Sequence, residues 1–336
     1  MTYQVLARKW RPRSFDEVVG QAHVVTALKN ALAEGRIAQA YLFAGIRGVG
    51  KTSVARIFAR ALNGREPLPG AAEELPIEAD LDILEVDAAT YSKVEQVREL
   101  VETLRYKPIH GRYKVVVLDE VHRLSRQAFD ALLKIVEEPP PHLVFIFATT
   151  EVEQVPATIL SRCQEFTFHR VPFGRLAEHL RQLAAAEGIT VSPGALAAIA
   201  RAAEGSVRDA VALLDQLATY GAGSIADEDA SRLSGGVAAQ VHHRLLAALL
   251  AGEGAAVSAV AAEIESEGRD PRQVYGQFLG YCRDALHLAL GAAGAGAELP
   301  GEEARAAAEL AFATGYENLL TIVHLLLASE ETVRRS

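Results

Sequence analysis

The pattern of this chain predicts an α/β domain built on a parallel sheet, followed by a long stretch of helices alone. Three observations carry that expectation. The runs Ala40–Ala44, Val115–Leu118 and Leu143–Ala148 are short and continuously apolar, as strands buried on both faces must be. Segments with helical apolar spacing separate them, the order that a parallel sheet with crossover helices requires. From Phe173 onward the strand pattern stops and a helical period takes over.

Composition bounds the reading. The 336 residues are enough for two or three domains, and 50% hydrophobic with 23% charged residues is ordinary for a globular chain. No apolar run reaches the length of a membrane span, and the opening Met1-Thr2-Tyr3-Gln4 has no leader pattern, so a cytoplasmic protein is expected. Two cysteines, Cys163 and Cys282, are too few and too far apart for a metal-ligand motif. Residues 1–172 carry 22 Lys+Arg against 22 Asp+Glu, whereas residues 173–336 carry 12 against 21 and so hold the whole net charge of −9. Contact with nucleic acid is therefore expected to be local and to come from the first half.

The strongest motif is Gly45-Ile46-Arg47-Gly48-Val49-Gly50-Lys51-Thr52, with Ser53 next. Two glycines five positions apart, followed at once by Lys and Thr, have the spacing of a phosphate-binding loop. Glycine lets the backbone curl until its N–H groups converge on phosphate oxygens. Lys51 then reaches the β- and γ-phosphates and the Thr52 hydroxyl holds Mg²⁺. The flanks agree, because Ala40–Ala44 reads as a buried strand and Ser53–Leu62 as a helix whose N-terminus faces the phosphates.

Before the loop, Arg8, Lys9, Arg11 and Arg13 surround Trp10 and Pro12, and Val18 and Val19 follow. A solvated basic arm and a segment folding over adenine, with the two valines as apolar contacts, both fit. Ala22–Glu34 reads as a helix ended by Gly35. Beyond the loop, Gly64 to Asp80 carries three prolines and five acidic residues and reads as irregular. Asp82–Asp87 reads as a half-buried strand, and Ser92-Lys93-Val94-Glu95 as a capping box opening a helix.

Val115–Leu118 leads into Asp119-Glu120, which places two carboxylates at the edge of the sheet where open α/β folds bind ligands. Asp119 is expected to hold Mg²⁺ through its water shell, and Glu120 to polarise an attacking water as general base. Ser125 caps a helix that Pro139, Pro140 and Pro141 stop. Thr149-Thr150 ends the strand Leu143–Ala148; the Thr150 hydroxyl suits a γ-phosphate sensor or a plain helix cap. A short helix, Pro156–Leu160, delivers Ser161-Arg162-Cys163 before the strand Gln164–Phe168. Lys93, Arg98, Arg105, Lys107, Arg112 and Lys114 form a basic set that fits either phosphate contacts to DNA or a solvated face, since Glu95, Glu99 and Glu102 are interleaved.

Taken in order, Tyr3-Gln4-Val5-Leu6-Ala7-Arg8-Lys9-Trp10-Arg11-Pro12, Gly20-Gln21, the phosphate loop, Asp119-Glu120-Val121-His122, Leu132-Leu133-Lys134, Glu137-Glu138-Pro139-Pro140, Ala148-Thr149-Thr150, Ser161-Arg162-Cys163 and Gly205-Ser206-Val207-Arg208-Asp209-Ala210 resemble the gamma/tau subunits of bacterial DNA polymerase III, clamp-loader ATPases of the AAA+ class. The resemblance covers nearly all of residues 1–230 and fades after about 240. It implies an AAA+ domain over 1–172, a helical lid over 173–233 and a helical collar for oligomerisation over 234–336. It also implies ATP and Mg²⁺, hydrolysis coupled to loading a sliding clamp on primer–template DNA, and a hetero-pentamer of clamp-loader subunits, with polymerase and single-strand-binding protein as further partners. Arg162 falls on the family's arginine finger, acting on a neighbour's nucleotide, and Arg208 on the lid arginine that touches the γ-phosphate in cis.

Two departures are visible. Family members usually carry four zinc-binding cysteines between the first helix and second strand, and Gly64–Leu81 contains none, so no zinc is expected. The long C-terminal extension of the tau form is also absent, which points to a gamma-like or shortened chain or a distant lineage. A non-hydrolysing subunit of the same architecture is expected to have a degraded phosphate loop, and this one is intact. A branch-migration motor is expected to carry a winged helix after the lid, where an Ala-rich helical region stands instead. An ATP-binding scaffold with little turnover keeps every motif and remains the other alternative.

Overall fold

The computed structural model describes residues 5–64, 80–90, 94–227, 239–266, 270–291 and 301–335. Within them the chain divides into two compact units, Met1–Val171 with Ser206–Arg208, and Pro172–Gly205 with Asp209–Ser336.

The first unit is built on five parallel strands: β1 Ala40–Ala44, β2 Ile83–Asp87, β3 Lys114–Asp119, β4 Leu143–Thr149 and β5 Gln164–Thr167. Their order across the sheet is β2-β3-β4-β1-β5. Ala44 lies in register with Thr149 and Asp87 with Asp119, so the strands end along one edge. Every residue of β1 and β4 is buried, as continuously apolar central strands require. Helix α1 covers Leu6–Lys9 and α2 Ala22–Glu34, which ends at Gly35 in the left-handed region. Helices α3 Lys51–Leu62, α4 Val94–Leu104, α5 Arg126–Glu137 and α6 Ala157–Leu160 follow the strands in turn. One core packs Tyr41, Phe43 and Ile146 under α2 and α3, and the other packs Leu42, Phe145 and Phe147 under α4 and α5.

Three local devices hold the connections. Ser125 caps α5 by accepting from the Ala128 amide at 3.2 Å. Buried Asp82 accepts from three consecutive amides, Ile109 at 2.5 Å, His110 at 2.8 Å and Gly111 at 2.6 Å, fixing the turn after α4. Gln21 clasps His169 by donating to its carbonyl and accepting from its amide, tying the N-terminal segment beside β5.

In the second unit, α7 Phe173–Ala186, α8 Pro193–Ala202 and α9 Val207–Tyr220, whose first two residues lie in the first unit, precede helices Ala239–Ala251, Gly254–Ser266, Pro271–Ala289, Gly301–Thr314 and Tyr316–Arg335. A core of Leu246, Phe278, Tyr281, Cys282, Ala285, Ala307 and Leu319 joins the last of these. The expectation that strands stop at Phe173 is corrected by a small parallel pair, β6 Thr190–Val191 with β7 Ser224–Ile225. Two residues per strand are too few to show an alternating period.

Two expectations lie outside the described residues: the irregular segment 65–79, and Ser92 and Lys93 of the capping box. Among the described residues no single helix is long and apolar enough to cross a membrane.

Candidate active site

The loop between β1 and α3 turns through three glycines with positive φ: Gly45 at 148°, Gly48 at 78° and Gly50 at 105°. A side chain at Gly45 would strike the Phe168 carbonyl at 2.4 Å, and one at Gly48 would strike Ser206 Oγ at 2.0 Å. At Gly45 the obstacle is backbone, so close packing demands glycine there beyond the backbone conformation alone, whereas at Gly48 the positive φ is the main constraint. Val49 is buried beneath the loop, Ile46 packs partly on the core, and Arg47 is exposed.

Lys51 opens α3 with its side chain buried, and its ammonium donates to the carbonyls of Gly45 at 2.7 Å and Ile46 at 2.9 Å. Burial pushes its pKa down, while the negative charges of Glu120 and Asp119 pull it back up. A buried cation held by two neutral carbonyls at a helix N-terminus is a fitting seat for phosphate. Ser53 stands part-buried in the same first turn.

The other half of the site comes from the end of β3. Thr52 donates through its hydroxyl to Asp119 Oδ2 at 2.7 Å, while Asp119 Oδ1 accepts from the Glu120 amide at 2.9 Å. Hydroxyl and carboxylate thus form the pair of hard oxygen donors that a nucleotide-bound Mg²⁺ requires. Glu120 adopts the left-handed conformation, φ 51°, one residue beyond the strand. That conformation is unfavourable for a non-glycine residue, and such outliers gather at functional sites. Thr150 donates to Glu120 Oε2 at 3.3 Å, so the hydroxyl at the end of β4 touches the carboxylate at the end of β3.

The remaining expected residues are placed as follows. Val18 and Val19 are part-buried, and Val18 packs against the core that lies beneath the loop. The Arg208 amide donates to the Gly48 carbonyl at 3.2 Å, which sets this residue against the phosphate loop within the first unit. Arg162 is exposed, and its guanidinium pairs with Glu137 at 2.8 Å and donates to the Thr158 carbonyl at 2.6 Å. Lys51, Thr52, Asp119, Glu120 and Thr150 are therefore brought together, whereas Arg162 engages a neighbouring helix end instead. Of the basic set, Lys114 donates to the Thr103 carbonyl, Arg105 pairs with Glu102, and Arg112 lies over the Tyr113 ring.

Sequence reasoning missed two groups. His122, almost wholly buried, lies between Glu120, Thr149 and Glu151. Arg56 makes a two-pronged pair with Glu85 at 2.7 and 2.6 Å. Beside that pair Arg11, one of the basic residues around Trp10, is part-buried; burial and then the charge of Arg56 lower its pKa, with Glu85 opposing. The Asp-Glu-Val-His run was a visible signal for the histidine, whereas the Arg56–Glu85 pair has no local pattern.

Fold and loop together define a P-loop protein of the AAA+ class. Among solved structures, the Thermotoga maritima RuvB Holliday junction branch migration motor matches with a TM-score of 0.53 and 21% identity, over 80% of this chain and 90% of that one. A likeness at that identity speaks for the fold alone. Three family models match successive parts of the chain: DNA polymerase III, delta subunit, over residues 20–172; DNA polymerase III clamp loader subunit, ATPase lid domain, over 175–223; and DNA polymerase III subunits gamma and tau domain III, over 225–336. DNA polymerase III subunit tau of Escherichia coli is 40% identical over 312 residues, 91% of this chain and 48% of that protein. Subunit tau/gamma of Haemophilus influenzae is 42% identical over 85% of this chain and 42% of its own length. Subunit gamma of Buchnera aphidicola is 44% identical over 68% of this chain and 64% of its own. The chain belongs to the family of the gamma and tau subunits of DNA polymerase III. It spans about half the length of the first curated relatives it matches.

Proposed function

We propose that this chain is an ATP-hydrolysing motor subunit of a bacterial sliding-clamp loader, coupling ATP binding and hydrolysis to placing the polymerase clamp on primer–template DNA. The observation that carries this reading is the convergence of Lys51, Thr52, Asp119 and Glu120 at one edge of the sheet. The loop amides and Lys51 bind the phosphates, and Thr52 and Asp119 hold Mg²⁺, which neutralises phosphate charge when bound. Glu120 takes the proton of the attacking water, with Thr150 orienting its carboxylate. Val18 and Val19 line the adenine, Arg208 contacts the γ-phosphate in cis, and Arg162 completes a neighbour's site in trans.

Residues 1–172 serve as the nucleotide-binding domain, 173–233 as the lid and 234–336 as the collar that joins subunits. Partners are the other clamp-loader subunits in a hetero-pentamer, the clamp and primed DNA, with polymerase and single-strand-binding protein beyond them, in the cytoplasm. No zinc enters this account. Neutralising the basic set Lys93, Arg98, Arg105, Lys107, Arg112 and Lys114 should weaken DNA binding with a shallower salt dependence where these residues meet phosphate, and an unchanged salt slope would favour a solvated face. The domain III match over residues 225–336 favours this reading over a branch-migration motor. The test is the ATP turnover of the assembled chain with and without clamp and primed DNA. Stimulation by the two together supports the reading, and a rate indifferent to both contradicts it.

A further inference from the structure

The proposed base, Glu120, sits on strained backbone at the end of β3, and Thr150, at the end of the neighbouring β4, is its one hydroxyl contact among the described residues. A third group joins these two strand ends. His122 lies in the short 3-10 turn Val121–Arg123, with its side chain only 6% exposed. Its Nδ1 is 3.0 Å from Thr149 Oγ1 and 3.5 Å from Glu120 Oε2, and its Nε2 is 3.4 Å from Glu151 Oε1.

Each ring nitrogen therefore faces a carboxylate oxygen, which can only accept a hydrogen bond when ionised. In either neutral tautomer one nitrogen donates towards a carboxylate and the other is left as an acceptor. Thr149 is fully buried, and its hydroxyl oxygen also accepts from the Glu151 amide at 3.0 Å. The imidazole consequently touches the turn after β3 and the turn after β4 at once. A buried polar ring in contact with three polar side chains has little freedom to rotate, and its neighbours inherit that restraint.

We infer that His122 is a positioning residue for the hydrolytic step, holding the Glu120 carboxylate and the Thr149–Glu151 turn in one arrangement. This rests on the reading of Glu120 as the base. Nucleotide binding through Lys51 and the loop amides does not involve the imidazole, so the effect of losing it falls on turnover and not on affinity. A displacement of about 1 Å in a catalytic group can cost on the order of 10²-fold in rate.

The experiment uses the full chain assembled with its partner subunits and compares His122→Leu, which keeps bulk without polar atoms, with His122→Asn, which keeps a polar atom where Nδ1 stands. Expected are a loss in kcat of about tenfold to a hundredfold for His122→Leu with KM for ATP unchanged, and partial recovery in His122→Asn. In a Glu120→Gln background, measured by single turnover, His122→Leu should add no further loss, because the group it positions is already disabled. Full turnover in His122→Leu, a rise in KM in place of the fall in kcat, no recovery in His122→Asn, or an undiminished loss in the Glu120→Gln background would each overturn the inference. Glu120→Gln turning over like the parent would instead overturn the assignment of the base, and this inference with it.

Discussion

Thr52 and Asp119 stand 67 residues apart in sequence, yet the hydroxyl of one donates to the carboxylate of the other at 2.7 Å. This bond joins the start of α3 to the end of β3, where a Mg²⁺-nucleotide would sit. Thr52→Val keeps the shape of the side chain and removes the oxygen. ATP affinity measured without Mg²⁺ should change little, and the strengthening that Mg²⁺ confers on the parent should be largely lost. Retention of the full Mg²⁺ effect in Thr52→Val would contradict the assignment.

Arg162 is tethered to Glu137 of its own chain, with the two side chains 37% and 45% exposed. Such an exposed pair holds the guanidinium weakly, by at most about 1 kcal/mol, so a stronger anion can draw it away. If it acts on a neighbour's γ-phosphate, an isolated chain binds ATP yet hydrolyses it slowly, fingers of this kind being worth ~10³ or more in turnover. Mixing Arg162→Ala with Glu120→Gln chains should restore activity, because some interfaces then pair an intact base with an intact finger. Arg208 lies against its own loop, so the Arg208→Ala and Glu120→Gln mixture should restore none. A dead Arg162 mixture with normal assembly counts against action in trans.

His242 is buried among Phe278 and Tyr281, and burial, with Arg201 nearby, lowers its pKa from 6.5 to about 4. Between about pH 4 and 6.5 the folded form keeps this ring neutral, whereas the unfolded chain takes up a proton. Its contribution is thus complete above about pH 6.5 and is lost as pH falls from there towards about 4, by up to about 3 kcal/mol. Denaturant unfolding of the parent should weaken over that window, and His242→Phe should flatten part of the slope. An identical slope in both proteins would show that other groups carry it.

Cys282 is buried and Cys163 part-buried. Burial raises Cys163, with Glu165 adding to the effect, and Cys282 alike to about 12. At pH 8 the thiolate fraction is then negligible, and thiolate is the reactive form. A disulfide reagent should label both residues slowly in the folded protein and promptly in urea. Metal analysis should find no stoichiometric zinc, and chelation should leave turnover intact. Prompt labelling at native pH, or zinc at one per chain, would refute this account of the cysteines.

Where the sequence carries a long period, it reads directly as structure. Ala40–Ala44 and Leu143–Thr149 are buried at every position, and Ser125 and Gly35 bound their helices where the capping logic puts them. Features made by meetings across the sheet could not be read in the same way. His122 reaches Thr149 only because β3 and β4 are neighbours, and Arg56 reaches Glu85 from a helix onto a strand. The left-handed turn at Glu120 is equally silent, since glutamate has no preference for it and the surrounding contacts impose it. The β6–β7 ladder was hidden by brevity.

The central claim is that Lys51 binds while Glu120 performs the chemistry, and one variant separates the two. Glu120→Gln retains the size of the side chain and removes its ability to take a proton. ATP affinity and single-turnover hydrolysis should be measured together on that variant in the assembled protein. Affinity should stay close to that of the parent while hydrolysis falls by roughly 10² or more. Hydrolysis at the parent's rate, with ATP bound equally well, would contradict the account.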